Sequence, residues 1–221
     1  MDGLRRAMQS ANATDVATDF LDGVVLAPAV SAAGTQFRDQ PDVEAALKQS
    51  LGITYYKLGQ YARAGAPVAD ALRIRTAANG ADGRATLESG LWGTRVAAAA
   101  ATTAKDRDAV EAPFKQGIEA MRRSVGDADP LTLFAMRCYA EWLDEQHRRD
   151  DAVKVYEEAL ALAKGKLDPL SDTVVFLTAG LAYTQIEAGH PERAVELLAR
   201  VGLRDKAEGG LRLDSRARLL A

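Results

Sequence analysis

The 221-residue chain contains one cysteine, two histidines and two tryptophans. A single cysteine forbids an internal disulfide and a cysteine-based zinc site. Cys138 lies in the run Phe134-Ala-Met-Arg-Cys-Tyr-Ala, the setting of a small packed residue rather than a reactive thiol. Aromatic residues make up only 6% of the chain, so rings cannot be the main filling of its core. No apolar run approaches the ~18 residues of a membrane span. Arg5 and Arg6 precede the apolar run Val24-Val-Leu-Ala-Pro-Ala-Val, but Asp15, Asp19 and Asp22 lie between them, which argues against a secretory leader. The expected location is cytoplasmic, with the extracytoplasmic part of a membrane-tethered protein as the alternative. A basic excess is also missing. Lys and Arg number 28 against 31 Asp and Glu, a formal charge of −3 and a pI near 5.5. Non-specific nucleic-acid binding needs a positive field, so no direct nucleic-acid partner is expected. The pairs Arg5-Arg6, Arg122-Arg123 and Arg148-Arg149 have acidic neighbours and read as solvated helix surface.

What the chain has in excess is alanine, 43 residues of 221. Alanine favours helix, and it lets helix backbones come close together. The long segments follow a helical period. Leu47, Leu51, Tyr55 and Leu58 mark one helix, with Pro41 at its start and Gly59 at its end. Tyr61, Ala64, Val68, Ala71 and Leu72 mark the next. A turn of a few residues between them makes the two helices antiparallel. The pair returns with Met136, Tyr139, Ala140 and Leu143, then Ala152, Tyr156, Ala159 and Leu160. It returns again with Leu177, Leu181 and Ala182, then Ala194, Leu198 and Val201. Ala140 and Ala182 are 42 residues apart, as are Ala152 and Ala194. Such self-similarity predicts an all-α, right-handed superhelix (α-solenoid) of about four antiparallel helical hairpins, with flanking N- and C-terminal helices.

The predicted organisation is an N-terminal helix and linker over 1–40, repeats over 41–202, and a capping helix or truncated repeat over 203–221. The repeats divide at about 41–84, 85–130, 131–172 and 173–202. Within 1–40 one helix is expected near Asp15–Leu26, with Val16, Phe20 and Val24 on a face and a looser stretch to Gln40. The hairpin over about 86–125 is the irregular copy: aligned on Phe114, it is about four residues too long, which predicts an extended first helix or a longer turn. Gly52, Ala140 and Ala182 fall mid-way along first helices. Ala64, Ala152 and Ala194 fall near the start of second helices, and Ala71, Gly117 and Ala159 correspond further along. Size is the expected constraint at all of these positions.

This small-residue pattern, with Gly59 and Gly189 in the turns, resembles the tetratricopeptide repeat, and the 42-residue spacing resembles its longer kinesin-light-chain type. A finer resemblance rests on Thr18-Asp-Phe-Leu-Asp-Gly, Phe37-Arg-Asp-Gln-Pro-Asp-Val-Glu-Ala-Ala-Leu, Leu51-Gly-Ile-Thr-Tyr-Tyr-Lys-Leu-Gly and Met121-Arg-Arg-Ser-Val-Gly-Asp-Ala-Asp-Pro-Leu-Thr-Leu. These look like the C-terminal repeat regions of bacterial serine/threonine kinases and of winged-helix transcriptional regulators. The helix such regions carry just before Phe37 looks shortened here. No kinase glycine loop, His-Arg-Asp loop or winged-helix segment is present, so the resemblance brings no kinase activity with it.

Chemistry-bearing constellations are few. Asp144 and His147 form a lone acid-x-x-His pair, where carboxylate metal bundles need two such pairs and further acids. No Gly-x-Ser-x-Gly and no phosphate loop occurs. No catalytic residue, cofactor or metal site is therefore expected. Stacked hairpins line a concave surface with their first helices, and such a groove binds an extended peptide or partner helix. The positions opposite the small-residue seam are Gln49, Ile53 and Tyr56, then Arg137, Glu141 and Asp144, then Tyr183 and Ile186, with Trp92 and Arg95 in the irregular copy. The expected function is a non-catalytic protein-interaction scaffold in a bacterial signalling assembly, whose partner is a protein or peptide. The alternatives are a self-associating repeat module, hence a homo-oligomer, and a small-ligand sensor of a larger kinase or regulator. No membrane contact by this chain is expected.

Overall fold

The computed structural model describes residues 19–208, and among them every regular element is helical. Val16 and the segment 209–221 lie outside the described residues. A π-helical turn, Asp22–Leu26, leads into α1 (Ala27–Gln36). Then follow α2 (Pro41–Lys57), α3 (Tyr61–Asn79), α4 (Arg84–Ala100), α5 (Ala104–Val125), α6 (Pro130–Glu145), α7 (Arg149–Ala163), α8 (Asp172–Glu187) and α9 (Pro191–Glu208). The chain divides into two compact units, Met1–Ala104 and Lys105–Ala221. No helix among the described residues is long and apolar enough to cross a membrane.

In the first unit α1 packs on α2, α2 pairs with α3, and α3 packs on α4. The stretch before Gln40 differs from the expectation. It is helical through Gln36, not a short helix followed by a looser run. Pro28 suggests a break because it has no N–H to give. The π-turn accommodates it: the Ala27 N–H bonds the Asp22 carbonyl, five residues back, and the register shift falls where the donor is lost. The face also differs. Leu26 and Ala33 are buried, while Phe20 and Val24 are exposed.

The α2–α3 contact is as close as its small residues imply. Ala45, Ala64 and Ala71 are fully buried. A Cβ on Gly52 would collide with the Val68 side chain and come within 3.2 Å of the Ala64 carbonyl and 3.3 Å of the Val68 nitrogen. Polar groups also enter this interior. Lys48 is buried and pairs with Asp70 at 2.6 Å and Glu44 at 3.1 Å. Desolvation pulls the Lys48 pKa down, but the two carboxylates outweigh it and hold the ammonium charged. Tyr55 donates to the Asp22 carboxylate, and burial pushes its phenol up to about 12.

In the second unit α6 pairs with α7, α7 packs on α8, and α8 pairs with α9. Asp129 caps α6, accepting from the Leu131 N–H at 2.8 Å, and Pro130 takes a first-turn position. Ala140, Ala152, Ala159, Ala182 and Ala194 are essentially inaccessible. The extra length of the irregular copy sits neither in its first helix nor in its turn. α4 has 17 residues, like α2, while α5 has 22 against 19 in α3 and 15 in α7. The links 58–60, 101–103, 146–148 and 188–190 all have three residues. Ala97–Ala100 simply complete α4. Gly117 on α5 is not size-limited, since a Cβ there would meet nothing within 4 Å. α9 runs to Glu208 with no break at residue 202.

Phe114 on α5 packs against Tyr139 and Trp142 on α6, with centroids 5.7 and 6.1 Å apart. Beside this cluster Glu111 accepts from Arg148 at 2.7 Å and Tyr139 at 2.8 Å, and pairs with Lys115 at 2.7 Å. The Arg148 and Lys115 bonds hold the Glu111 carboxyl down at about 2, against 4.5 for a free side chain. The contribution of this group to stability is full above the unfolded value near 4.5 and vanishes as pH falls through about 2. Glu111→Gln should therefore destabilise by about 1 kcal/mol at pH 7. The gap to the parent should close between about pH 5 and pH 2, as followed by urea melts across that range.

Candidate functional site

In the first unit the rings of Tyr56 on α2 and Trp92 on α4 meet edge to face, 5.7 Å apart at 75°. Tyr61 approaches Tyr56 at 5.5 Å. The Arg95 guanidinium lies 5.0 Å from the Tyr56 centroid and 4.5 Å from that of Trp92, a cation–π arrangement on both. Tyr56, Trp92 and Arg95 thus form one cluster, with half-buried Ile53 a turn earlier on α2. Gln49 takes no part and is no groove-facing residue. It is only 5% exposed, accepts from Arg75 and Ser89 at 2.6 Å each, and donates to Glu88 at 3.1 Å. Its position on the face opposite the alanine seam looks outward in a lone hairpin, but α4 packs over it.

In the second unit Arg137, Glu141, Asp144 and Tyr183 line one open cleft of about 430 Å³, where α6, α7 and α8 meet. Ile186 is exposed and does not line it. Arg137 is ion-paired with Glu141 four residues on, and its guanidinium lies over the rings of Phe134 and Phe176 at 5.1 and 5.4 Å. Arg149 lies 3.5 Å from both Asp144 and Glu187. This ion pairing is loose: the Asp144 Oδ1 and Arg149 Nε atoms are buried and neither makes a hydrogen bond. Burial pushes the Asp144 carboxyl above its ordinary value, Arg149 opposes this, and Glu187 adds to it.

Tyr156 of α7 forms part of the wall at only 2% exposure. It fits because residue 180 is glycine. A Cβ there would lie 2.6 Å from the Tyr156 hydroxyl and 2.7 Å from its Cε1 and Cζ. Desolvation raises the Tyr156 pKa far out of reach, with Glu141 adding to the shift, so the phenol stays protonated. Of the α8 residues on this wall, sequence reasoning finds Tyr183 and misses Phe176, Gly180 and Glu187. Their spacing of four, three and four marks one face of α8, parallel to Arg137, Glu141 and Asp144 on α6. Tyr156 carries no such signal, because at its position a ring reads simply as core.

His147 also lines the cleft, from the α6–α7 turn. It has φ +61°, whereas the corresponding turns use Gly59 at +74° and Gly189 at +83°. A left-handed backbone strains a residue with a Cβ by roughly 1 kcal/mol. His147→Gly should accordingly raise stability by about 1 kcal/mol, measured as a rise in the urea midpoint at unchanged slope. A fall would mean that imidazole contacts outweigh the strain.

Helical hairpins with an alanine seam, three-residue turns and left-handed turn residues define a tetratricopeptide-like repeat fold of the kinesin-light-chain kind. Solved structures share it. The crystal structure of BtubC (BKLC) from P. vanneervenii is 16% identical, with a TM-score of 0.62 over 90% of this chain and 79% of that one. A Podosopora anserina putative kinesin light chain, with nearly identical TPR-like repeats, is 16% identical, with a TM-score of 0.62 over 89% of this chain and 95% of that one. A single-substitution variant of that protein scores 0.63 over 88% and 94%. No protein-family model and no curated protein matches the sequence.

Proposed function

We propose that this chain is a non-catalytic protein-interaction scaffold that holds a peptide or a segment of a partner protein against its first helices. The fold supports this, since repeats of this type present helix faces to protein partners. The observation that carries it is the cleft of the second unit, where Arg137, Glu141, Asp144 and Tyr183 converge in an open furrow. A furrow with several polar groups along its length suits a chain segment better than an enclosed small molecule. The finer sequence resemblance supports a role in a bacterial signalling or regulatory assembly.

Affinity capture with the folded chain tests the reading. A protein or peptide partner should be retained by the parent and lost by Arg137→Ala and Tyr183→Ala, both of which should keep their helical signal. Retention of the same partner by both variants would place its binding elsewhere. Failure to capture any partner from a peptide library would count against the scaffold itself.

A further inference from the structure

The cleft of the second unit is not neutral. Glu141, Asp144, Glu145 and Glu187 line it against two guanidinium groups, those of Arg137 and Arg149, and one imidazole. The carboxylates lining it outnumber the guanidinium groups by two. The two cations are partly committed. Arg137 is held by Glu141 and by the Phe134 and Phe176 rings, and Arg149 is shared between Asp144 and Glu187 at 3.5 Å each. A single guanidinium at that distance leaves two carboxylates under-satisfied, and Asp144 Oδ1 is buried with no hydrogen bond at all.

A second observation is independent of the charges. Tyr156 is 2% exposed, lines the cleft and makes no hydrogen bond within the described residues. Its hydroxyl keeps some accessible area and, packed beside Gly180, meets the cleft without a protein partner. The open groups of the site are thus dominated by acceptors: a carboxylate oxygen, a second carboxylate and a phenol oxygen. Half-exposed Tyr183 and exposed Phe176 supply apolar surface on the same helix for a long methylene stem. Such a site complements a cationic group that carries several N–H donors.

We propose that the second-unit cleft takes a lysine or arginine side chain of a partner peptide, its head among Asp144, Glu187 and the Tyr156 hydroxyl and its stem along Tyr183. This rests on the scaffold reading above and specifies the chemistry of the bound segment. An acidic peptide would meet the net negative charge of the cleft and is disfavoured.

The test selects a displayed random-peptide library on the full chain, then measures the affinity of enriched peptides by fluorescence anisotropy. Enriched peptides should contain a required Lys or Arg. Replacing that residue with norleucine or citrulline, which keep length but remove charge, should weaken binding at least tenfold. Asp144→Asn and Glu187→Gln should each weaken it severalfold, and Tyr156→Phe should do so while leaving the thermal melt in place. Glu187 is exposed, so its variant reports even where Asp144→Asn perturbs folding. Enriched peptides that bind without a basic residue, or equally well to Glu187→Gln and Tyr156→Phe, would overturn the proposal and leave the scaffold reading standing. A library that yields no binder overturns both. Free guanidine or methylamine competing as well as the peptide would assign the cleft to a small amine and overturn the peptide-side-chain assignment.

Discussion

Gly52→Ala should destabilise the protein by about 2 kcal/mol, while Gly65→Ala and Gly90→Ala should stabilise it by about 0.5–1 kcal/mol. All three glycines lie inside helices, on α2, α3 and α4. Propensity alone predicts a gain at each. At Gly65 and Gly90 a Cβ meets nothing within 4 Å, so the gain should be realised. At Gly52 the new methyl would run into the Val68 side chain, and the Ala64 carbonyl at 3.2 Å and the Val68 nitrogen at 3.3 Å close off the way around. Backbone atoms cannot give way as a side-chain tip can, so α2 and α3 must separate and loosen the fully buried Ala64 and Val68. Thermal melts should show a drop of about 4–8 °C for Gly52→Ala. Opposite signs within one residue type separate packing from propensity. A gain at Gly52 would show that the two helices are not held at this spacing in solution.

Gly180→Ala should be at least as damaging, about 2–3 kcal/mol, and it should also close the cleft. The added Cβ would lie 2.6–2.7 Å from three atoms of the Tyr156 side chain, which cannot swing away because the residue is packed to 2% exposure. Tyr156→Phe removes only the nearest of the three, so it should restore part of the loss. Tyr156→Leu removes the whole rim of the ring, so Gly180→Ala should cost much less in that background. A double-mutant cycle should give a coupling of about 1–2 kcal/mol between positions 156 and 180. Additive effects would show that the ring and the glycine are not in contact.

These two glycines also show where the sequence can be read and where it cannot. Gly52 is legible because Ala140 and Ala182 repeat its smallness, and burial bears out that seam at every alanine in it. Gly180 is not, because its neighbour in contact is a core-type tyrosine from a different helix, and no spacing rule joins 156 to 180. Gly117 shows the converse: it sits in register with buried Phe114, Ile118 and Met121, yet a Cβ there would meet nothing within 4 Å. Periodicity within one helix places Gln49 outward, whereas its burial is decided by α4, some forty residues on. Helical period reports what a hairpin hides from its own partner. It is silent on what the next helix covers. The cleft is half visible for the same reason. Its α6 stripe and Tyr183 stand out along single helices, while Tyr156 and Gly180 belong to a contact between helices.

The bonds around Gln49 bear on a weakness of alanine seams. A surface of methyl groups is nearly smooth, and two such helices can slide by one turn, about 5.4 Å, with little change in buried area. Hydrogen bonds have no such tolerance. Arg75 on α3 reaches Gln49 on α2 at 2.6 Å, and the Ala85 carbonyl and Ser89 on α4 at 3.1 and 2.9 Å. Sliding any one of these helices by a turn would draw the half-buried Arg75 guanidinium away from its acceptors and leave buried Gln49 and Ser89 without their partners, a larger penalty than the loss of methyl contact. Three helices are thus keyed to one alignment by a single arginine. Alanine sets how close they lie, and Arg75 sets which turn faces which.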